Sequence, residues 1–258
     1  GVMSESKAIQ SVVTTLSVIE IMAEARAPLG VSEIARKIGI TKPRIFRHLR
    51  TLLDKGYVDQ DPITEKYQLT LKIFHLGQLI FENIDFLYEA RRVLPNLVAS
   101  IKQTITIGQV EDSGVRIMDI LKYRSDIEIT TPPGSLLGFH SSAQGKLALA
   151  FGPDVLWEQV SRGHLPQITS KTITDLESLR DEIEKIRRRG WSEAPEQSLM
   201  GVNAFAAPVL DKDGRLAGII TAVGSATFLR PQDDEGLREA LLSKANEISK
   251  RLGYVNNR

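Results

Sequence analysis

Thr41, Lys42, Arg44, Arg47, His48, Arg50 and Thr51 lie in one short run, ITKPRIFRHLRT, which holds four lysine or arginine side chains, a histidine and no carboxylate. Soluble helices ordinarily intersperse their charges, because like charges one turn apart repel. Guanidinium forks suit guanine edges and phosphate oxygens, so the chemistry available to this run is recognition of a polyanion. At about 100° per residue, Ile45, Phe46, Leu49, Leu52 and Leu53 share one arc of a helix, expected to face a core. Arg44, Arg47, His48 and Thr51 fall on the opposite arc, with Arg50 at its edge. Thr41 stands where it would cap the helix and Pro43 is tolerated in the first turn. Thr41 and Lys42 at the positive end of the helix would meet a phosphate.

Such a helix needs a platform. Residues 9–25 space Val12, Val13, Leu16, Ile19 and Ile21 as an amphipathic helix, broken by Pro28 and Gly30. Ser32 is expected to cap a short helix from Glu33 to Ile38, ended by Gly39. The basic helix then runs to about Lys55, and Gly56 stops it. The strand-like runs YVDQ and KYQL follow, joined by DPITE. Three helices and a hairpin predict a winged helix-turn-helix DNA-binding domain over residues 7–70. Asp59, Asp61 and Glu65 make the wing acidic, which argues for a structural rather than a phosphate-contacting wing. Residues 71–88 predict a linker helix with apolar residues on more than one face, among them Ile73, Phe74, Leu76, Phe86 and Leu87. A helix that only bridged domains would be polar around most of its surface, so this one is expected to pack on a second subunit.

From residue 89 to 258 the pattern changes. A helix through Lys102 leads to β-rich runs around the turn EDSG, a helix beginning near Ser142, and helices over 154–162 and 175–189. A hairpin turns at DKDG between 203–210 and 215–223, and a last helix covers 231–252. Strands interleaved with helices and closed by a hairpin predict an α+β fold, an antiparallel sheet flanked by helices.

Composition narrows the function. Hydrophobic content of 42% and charged content of 25% mark a globular chain. No apolar run reaches the roughly 18 residues of a spanning helix, and no basic-then-apolar leader is recognisable; no membrane association and a cytoplasmic location are expected. The absence of cysteine excludes disulfides, thiolate catalysis and cysteine metal sites. Net charge is only +1, but Arg36–Lys55 carries seven cations against the single acid Asp54.

Together these residues resemble the IclR family of bacterial transcriptional regulators. The likeness is carried by VSEIARKIGITKPRIFRHLRTLLDKGYV in the first part. In the second it is carried by HSSAQGKLALA and RRGWSEAPEQSLMGVNAFAAPVLDKDGRLAGIITAVG. The resemblance implies a winged helix followed by a GAF-like effector-binding and oligomerisation domain, assembled as a homodimer or homotetramer on double-stranded operator DNA. It implies control, most often repression, of a catabolic operon by a small organic acid or aromatic metabolite. By motif position the effector pocket would be lined by Ile129, Leu137, Ala143, Gln144, Gly145, Ala194, Ala204, Thr221 and Val223. Ala194 stands where an acid is frequent in the family, Ala204 where cysteine is common and Val223 where serine is common, so this pocket is expected to be less polar than usual.

Other motifs fail on spacing. GFHSSAQGKL has six residues between Gly138 and Gly145 rather than four, and Leu147 in place of a magnesium-binding hydroxyl, so it is not a phosphate loop. His140, Ser141, Ser142 and Lys146 have no nucleophile elbow around them. His48, His75, His140 and His164 are scattered without metal-type spacing. No enzyme activity, metal or cofactor is expected. The competing reading is an interaction module, a winged helix that contacts protein beside a domain that only dimerises; steeply salt-dependent DNA binding separates the two.

Overall fold

The structure is a computed structural model that describes residues 8–82, 85–124 and 131–256. The chain forms two compact units, Gly1–Asn83 and Ile84–Arg258.

In the first unit, α1 (Gln10–Glu24), α2 (Val31–Ile38) and α3 (Lys42–Asp54) precede an antiparallel hairpin of β1 (Val58–Gln60) and β2 (Tyr67–Leu69). Val18, Met22, Ile34, Ile45, Leu49, Leu52, Val58 and Tyr67 make its core. Helix α2 starts two residues earlier than the Ser32 cap predicts. Gly30 takes the N-cap position, and Glu33 reaches back to accept its N–H at 2.7 Å, a contact that holds the Glu33 carboxyl below its ordinary pKa. Gly39, with φ of 78°, ends the helix in the left-handed conformation that glycine adopts without strain. The wing turn is organised by Asp61, whose Oδ1 accepts from the amides of Ile63 (2.7 Å) and Thr64 (3.0 Å). Helix α4 (Leu71–Glu82) closes this unit with Leu71, Phe74, Leu76 and Ile80 exposed.

The second unit opens with α5 (Asp85–Ile101), then β3 (Thr104–Glu111), β4 (Gly114–Leu121), β5 (Leu136–Leu137), α6 (Ala143–Phe151), α7 (Asp154–Ser161) and α8 (Leu176–Arg189). β6 (Ser192–Glu193), β7 (Val202–Leu210), β8 (Leu216–Ser225) and α9 (Glu235–Arg251) complete it. The strands form one antiparallel sheet in the order β5-β4-β3-β8-β7-β6. Helices α5 and α9 pack together against one face; α6 lies on the other, backed by α8. Asp211 sets the β7–β8 turn by accepting from the amides of Asp213 and Arg215.

The linker predicted over 71–88 is divided. Phe86 and Leu87 belong to α5 and are buried, not part of an exposed linker face. Phe86 lies so close to the sheet that a Cβ on Gly218 would fall 2.0 Å from its ring.

Candidate DNA-reading helix and effector site

Ile45, Leu49 and Leu52 anchor α3 in the core, as their spacing predicts, while Phe46 departs from the predicted arc and is 50% exposed. Ile45, Leu49 and Leu52 are the buried residues of α3, and a helix turns 100° between residues 45 and 46, which carries Phe46 off the core face. Thr41 occupies the N-cap position without making a side-chain cap bond. Thr41, Lys42, Arg44, Arg47, Arg50 and Thr51 are exposed. Arg50 reaches along the helix to Asp54 at 3.5 Å; among the described residues Arg44 and Arg47 take part in no ion pair. His48 is half-buried and turned toward α1, its Nδ1 lying 2.8 Å from the Thr15 hydroxyl oxygen. Burial first, then Arg44 and Arg47, hold its pKa below the ordinary histidine value. Between α1 and α3 lies a cleft of about 590 Å³.

On the sheet face toward α6, register brings the expected effector residues side by side. Thr221 pairs with Thr106 on one side and Ala206 on the other, and Val223 pairs with Ala204. Gln144 on α6 approaches Thr106, Nε2 to Oγ1 at 3.5 Å, at the long limit of a hydrogen bond. Ala143, Ala194 and Ala204 pack in the same apolar cluster as Leu147, Ala206 and Ile219. Leu137 is half-exposed at the sheet edge, paired with Val115. Ile129 lies outside the described residues. Thr221 is fully buried, and its hydroxyl has no hydrogen-bond partner among the described residues.

Helix α6 is capped by Ser142, whose Oγ accepts from the Gly145 amide at 2.9 Å and donates to the Gly138 carbonyl at 2.7 Å. The Gly145 N–H is therefore consumed by the cap, and the amides of Ala143 and Gln144 are the donors at the helix start. His140 bonds the Pro166 carbonyl and Lys146 the Glu193 carbonyl, so no serine–histidine relay exists here.

Two family models account for most of the chain. The IclR helix-turn-helix domain matches residues 11–62, and the C-terminal domain of the bacterial transcriptional regulator IclR matches residues 78–250. The chain belongs to the IclR family. It is 28% identical over 251 residues to the HTH-type transcriptional regulator KdgR of Escherichia coli K12, covering 95% of this chain and 94% of that protein. The crystal structure of Thermotoga maritima IclR superposes with a TM-score of 0.82 at 24% identity, covering 96% of this chain and 100% of that one. An IclR homologue from Microbacterium hydrocarbonoxydans, solved with 4-hydroxybenzoate, gives 0.78 at 20% identity, covering 92% and 98%. This IclR-family chain is thus a DNA-binding transcriptional regulator and not an enzyme. Among its described residues no helix is long and apolar enough to cross a membrane.

Sequence reading missed two features of the site. Thr106 was legible in principle: alternation along TITIGQV sets Thr104 and Thr106 on one face and Ile105 and Ile107 on the other. Lys146 was not. It is fully buried, its ammonium donating to the Glu193 carbonyl at 2.6 Å and to Glu182 at 3.3 Å.

Proposed function

We propose that this regulator is a cytoplasmic repressor of a catabolic operon. Its first unit, over residues 7–70, holds double-stranded operator DNA through Lys42, Arg44, Arg47 and Thr51. Its second, over 89–258, binds a small organic acid or aromatic metabolite that weakens that hold. The effector lies against Thr221, Gln144 and the amides of Ala143 and Gln144, with Ala194, Ala204 and Val223 forming a carbon-rich side.

The observation that supports the sensing site is the buried, unpartnered Thr221 hydroxyl beside Thr106 and Gln144. Native proteins pair nearly all buried polar groups, and an orphan costs about 1–3 kcal/mol, which a ligand oxygen would recover. The helix start adds N–H donors and a positive dipole end for one carboxylate. The 4-hydroxybenzoate of the Microbacterium homologue is a ligand of the same chemical class.

A thermal-shift screen of organic and aromatic acids, followed by calorimetric titration of wild type and Thr221→Val, tests this. Binding to the wild type should be lost or much weakened in the variant, while the ligand-free variant melts higher because its orphan hydroxyl is gone. Equal affinities remove Thr221 from the site, and tight binding of a polar dicarboxylate contradicts the carbon-rich wall. Assembly as a homodimer or homotetramer is supported by the exposed Leu71, Phe74, Leu76 and Ile80 on α4. A single-chain mass by light scattering at micromolar concentration refutes it.

A further inference from the structure

The cleft between α1 and α3 has two unlike walls. Helix α3 supplies Arg44, Arg47, His48 and Thr51; α1 supplies Ser11, Val12, Thr15 and Leu16. No carboxylate lines it, and α1 has no acid in its first turn. Two guanidinium groups without ion pairs therefore border a concave surface that also carries hydroxyls and aliphatic carbons. The walls are tied together: the Thr15 hydroxyl donates to the Ser11 carbonyl at 2.9 Å and meets His48 Nδ1 at 2.8 Å. With its proton given to the carbonyl, that oxygen accepts from His48 Nδ1–H, so one hydroxyl satisfies both contacts. The start of α1 is electrically open as well. Its N-cap residue, Ile9, makes no side-chain cap, and the positive end of the helix dipole lies at the Ser11 turn.

We propose that this cleft seats one sugar–phosphate strand of the operator, so that α1, and Ser11 in particular, is part of the DNA interface beside Arg44 and Thr51. Phosphate oxygens are met by the Arg44 guanidinium, the Ser11 hydroxyl and the amides of Gln10 and Ser11, the Val12 and Val13 amides being taken by the Ile9 carbonyl. Thr51, whose hydroxyl donates to the Arg47 carbonyl, borders the strand without donating to it. Deoxyribose carbons pack on Val12 and Leu16. His48 serves by joining the two helices rather than by touching a base. Such contacts carry no base information; they set the register in which Arg47 meets the groove. The inference rests on the DNA-binding reading of α3 and adds a second helix to it.

The test is Ser11→Glu in the full chain, with Ala23→Glu as a control that makes the same charge change at an exposed α1 position outside the cleft. Binding is measured by fluorescence anisotropy on the duplex upstream of the protein's own gene and on a random-sequence duplex, across a salt series. A carboxylate facing phosphate should weaken binding to both duplexes roughly tenfold at low salt, a loss that shrinks as salt rises. Ala23→Glu should stay within about twofold of wild type. Thermal melts of both variants verify folding, and Ser11→Ala, which adds no charge, should weaken binding slightly and equally on the two duplexes. If Ser11→Glu matches Ala23→Glu while Arg47→Ala still loses binding, the cleft proposal is overturned and the α3 reading stands. If wild type binds neither duplex, both fall.

Discussion

Replacing Gly145 by alanine tests whether the start of α6 is fixed by contact rather than by conformation. The glycine lies in the first turn of the helix, where alanine should be favoured by about 1 kcal/mol. A Cβ there, however, would lie 2.1 Å from the Gly138 carbonyl oxygen and 2.5 Å from Phe139 Cα. Both are backbone atoms, so no side chain can swing aside, and relief requires the helix or the 138–139 loop to move by roughly 1 Å. Overpacking of this kind costs about 1–3 kcal/mol, and backbone on the receiving side places it at the upper end. Net of helix propensity, Gly145→Ala should destabilise the second unit by about 2 kcal/mol, lowering its melting temperature by about 4–8 °C for a unit of this size. The same displacement would move the amides of Ala143 and Gln144, so effector affinity should fall as well. Scanning calorimetry of the variant against wild type reads the first effect. A melting temperature equal to or above wild type refutes the claim that close approach selects glycine here.

Arg44→Ala and Arg47→Ala should each weaken binding to the protein's own promoter duplex by about 1–3 kcal/mol in gel shifts, with unchanged thermal melts. Leu49→Ala, which empties a fully buried site, should cost the first unit about 2–5 kcal/mol in urea unfolding, whereas Phe46→Ala should stay within about 0.5 kcal/mol. His48 has a folded pKa below its ordinary value, so the unfolded chain binds more protons between the two values. Stability should therefore rise with pH through that window and fall as pH drops below about 6.5, and His48→Asn should flatten that part of a melting-temperature profile.

The first unit was legible almost residue by residue, because its determinants are local. Gly39 and Gly56 end helices at positive φ, and the 100° periodicity of α3 separates Ile45, Leu49 and Leu52 from Arg44 and Arg47. Errors fell where two local signals competed. Ser32 and Gly30 could both cap α2, and the hydrogen bond that the Gly30 N–H donates to the Glu33 carboxylate, three residues on, selects Gly30. Phe46 is apolar and adjacent to a core residue, yet a helix surface 100° away from the core centre is solvent. The linker run read as one element because apolar residues continue through it. Which of them faces which unit depends on tertiary partners such as Gly218, far along the chain.

In the second unit the effector face needed register, and register is not in the local sequence. Thr221, named from sequence only through the family resemblance, gains a physical reason for that place by standing opposite Thr106, more than a hundred residues earlier, with its hydroxyl unpartnered among the described residues. Lys146 shows the same limit from the other direction. In QGKL a lysine reads as a solvated cation at a helix start. Its carboxylate partner, Glu182, lies 36 residues on, and its carbonyl partner, Glu193, 47 residues on. Burial drives its pKa down, and Glu182 opposes that only in part. A buried ammonium is a costly way to join three elements when leucine would pack. What it supplies is direction, since three donors on one nitrogen fix α6 to the β6 edge and to α8 at once. With Gly145 pressed on the 138–139 backbone one residue earlier, α6 is held on two sides by contacts that resist sliding. A ligand seated against Gln144, as proposed, would therefore push on a helix tied to the sheet edge, in an interior dense enough to transmit the displacement.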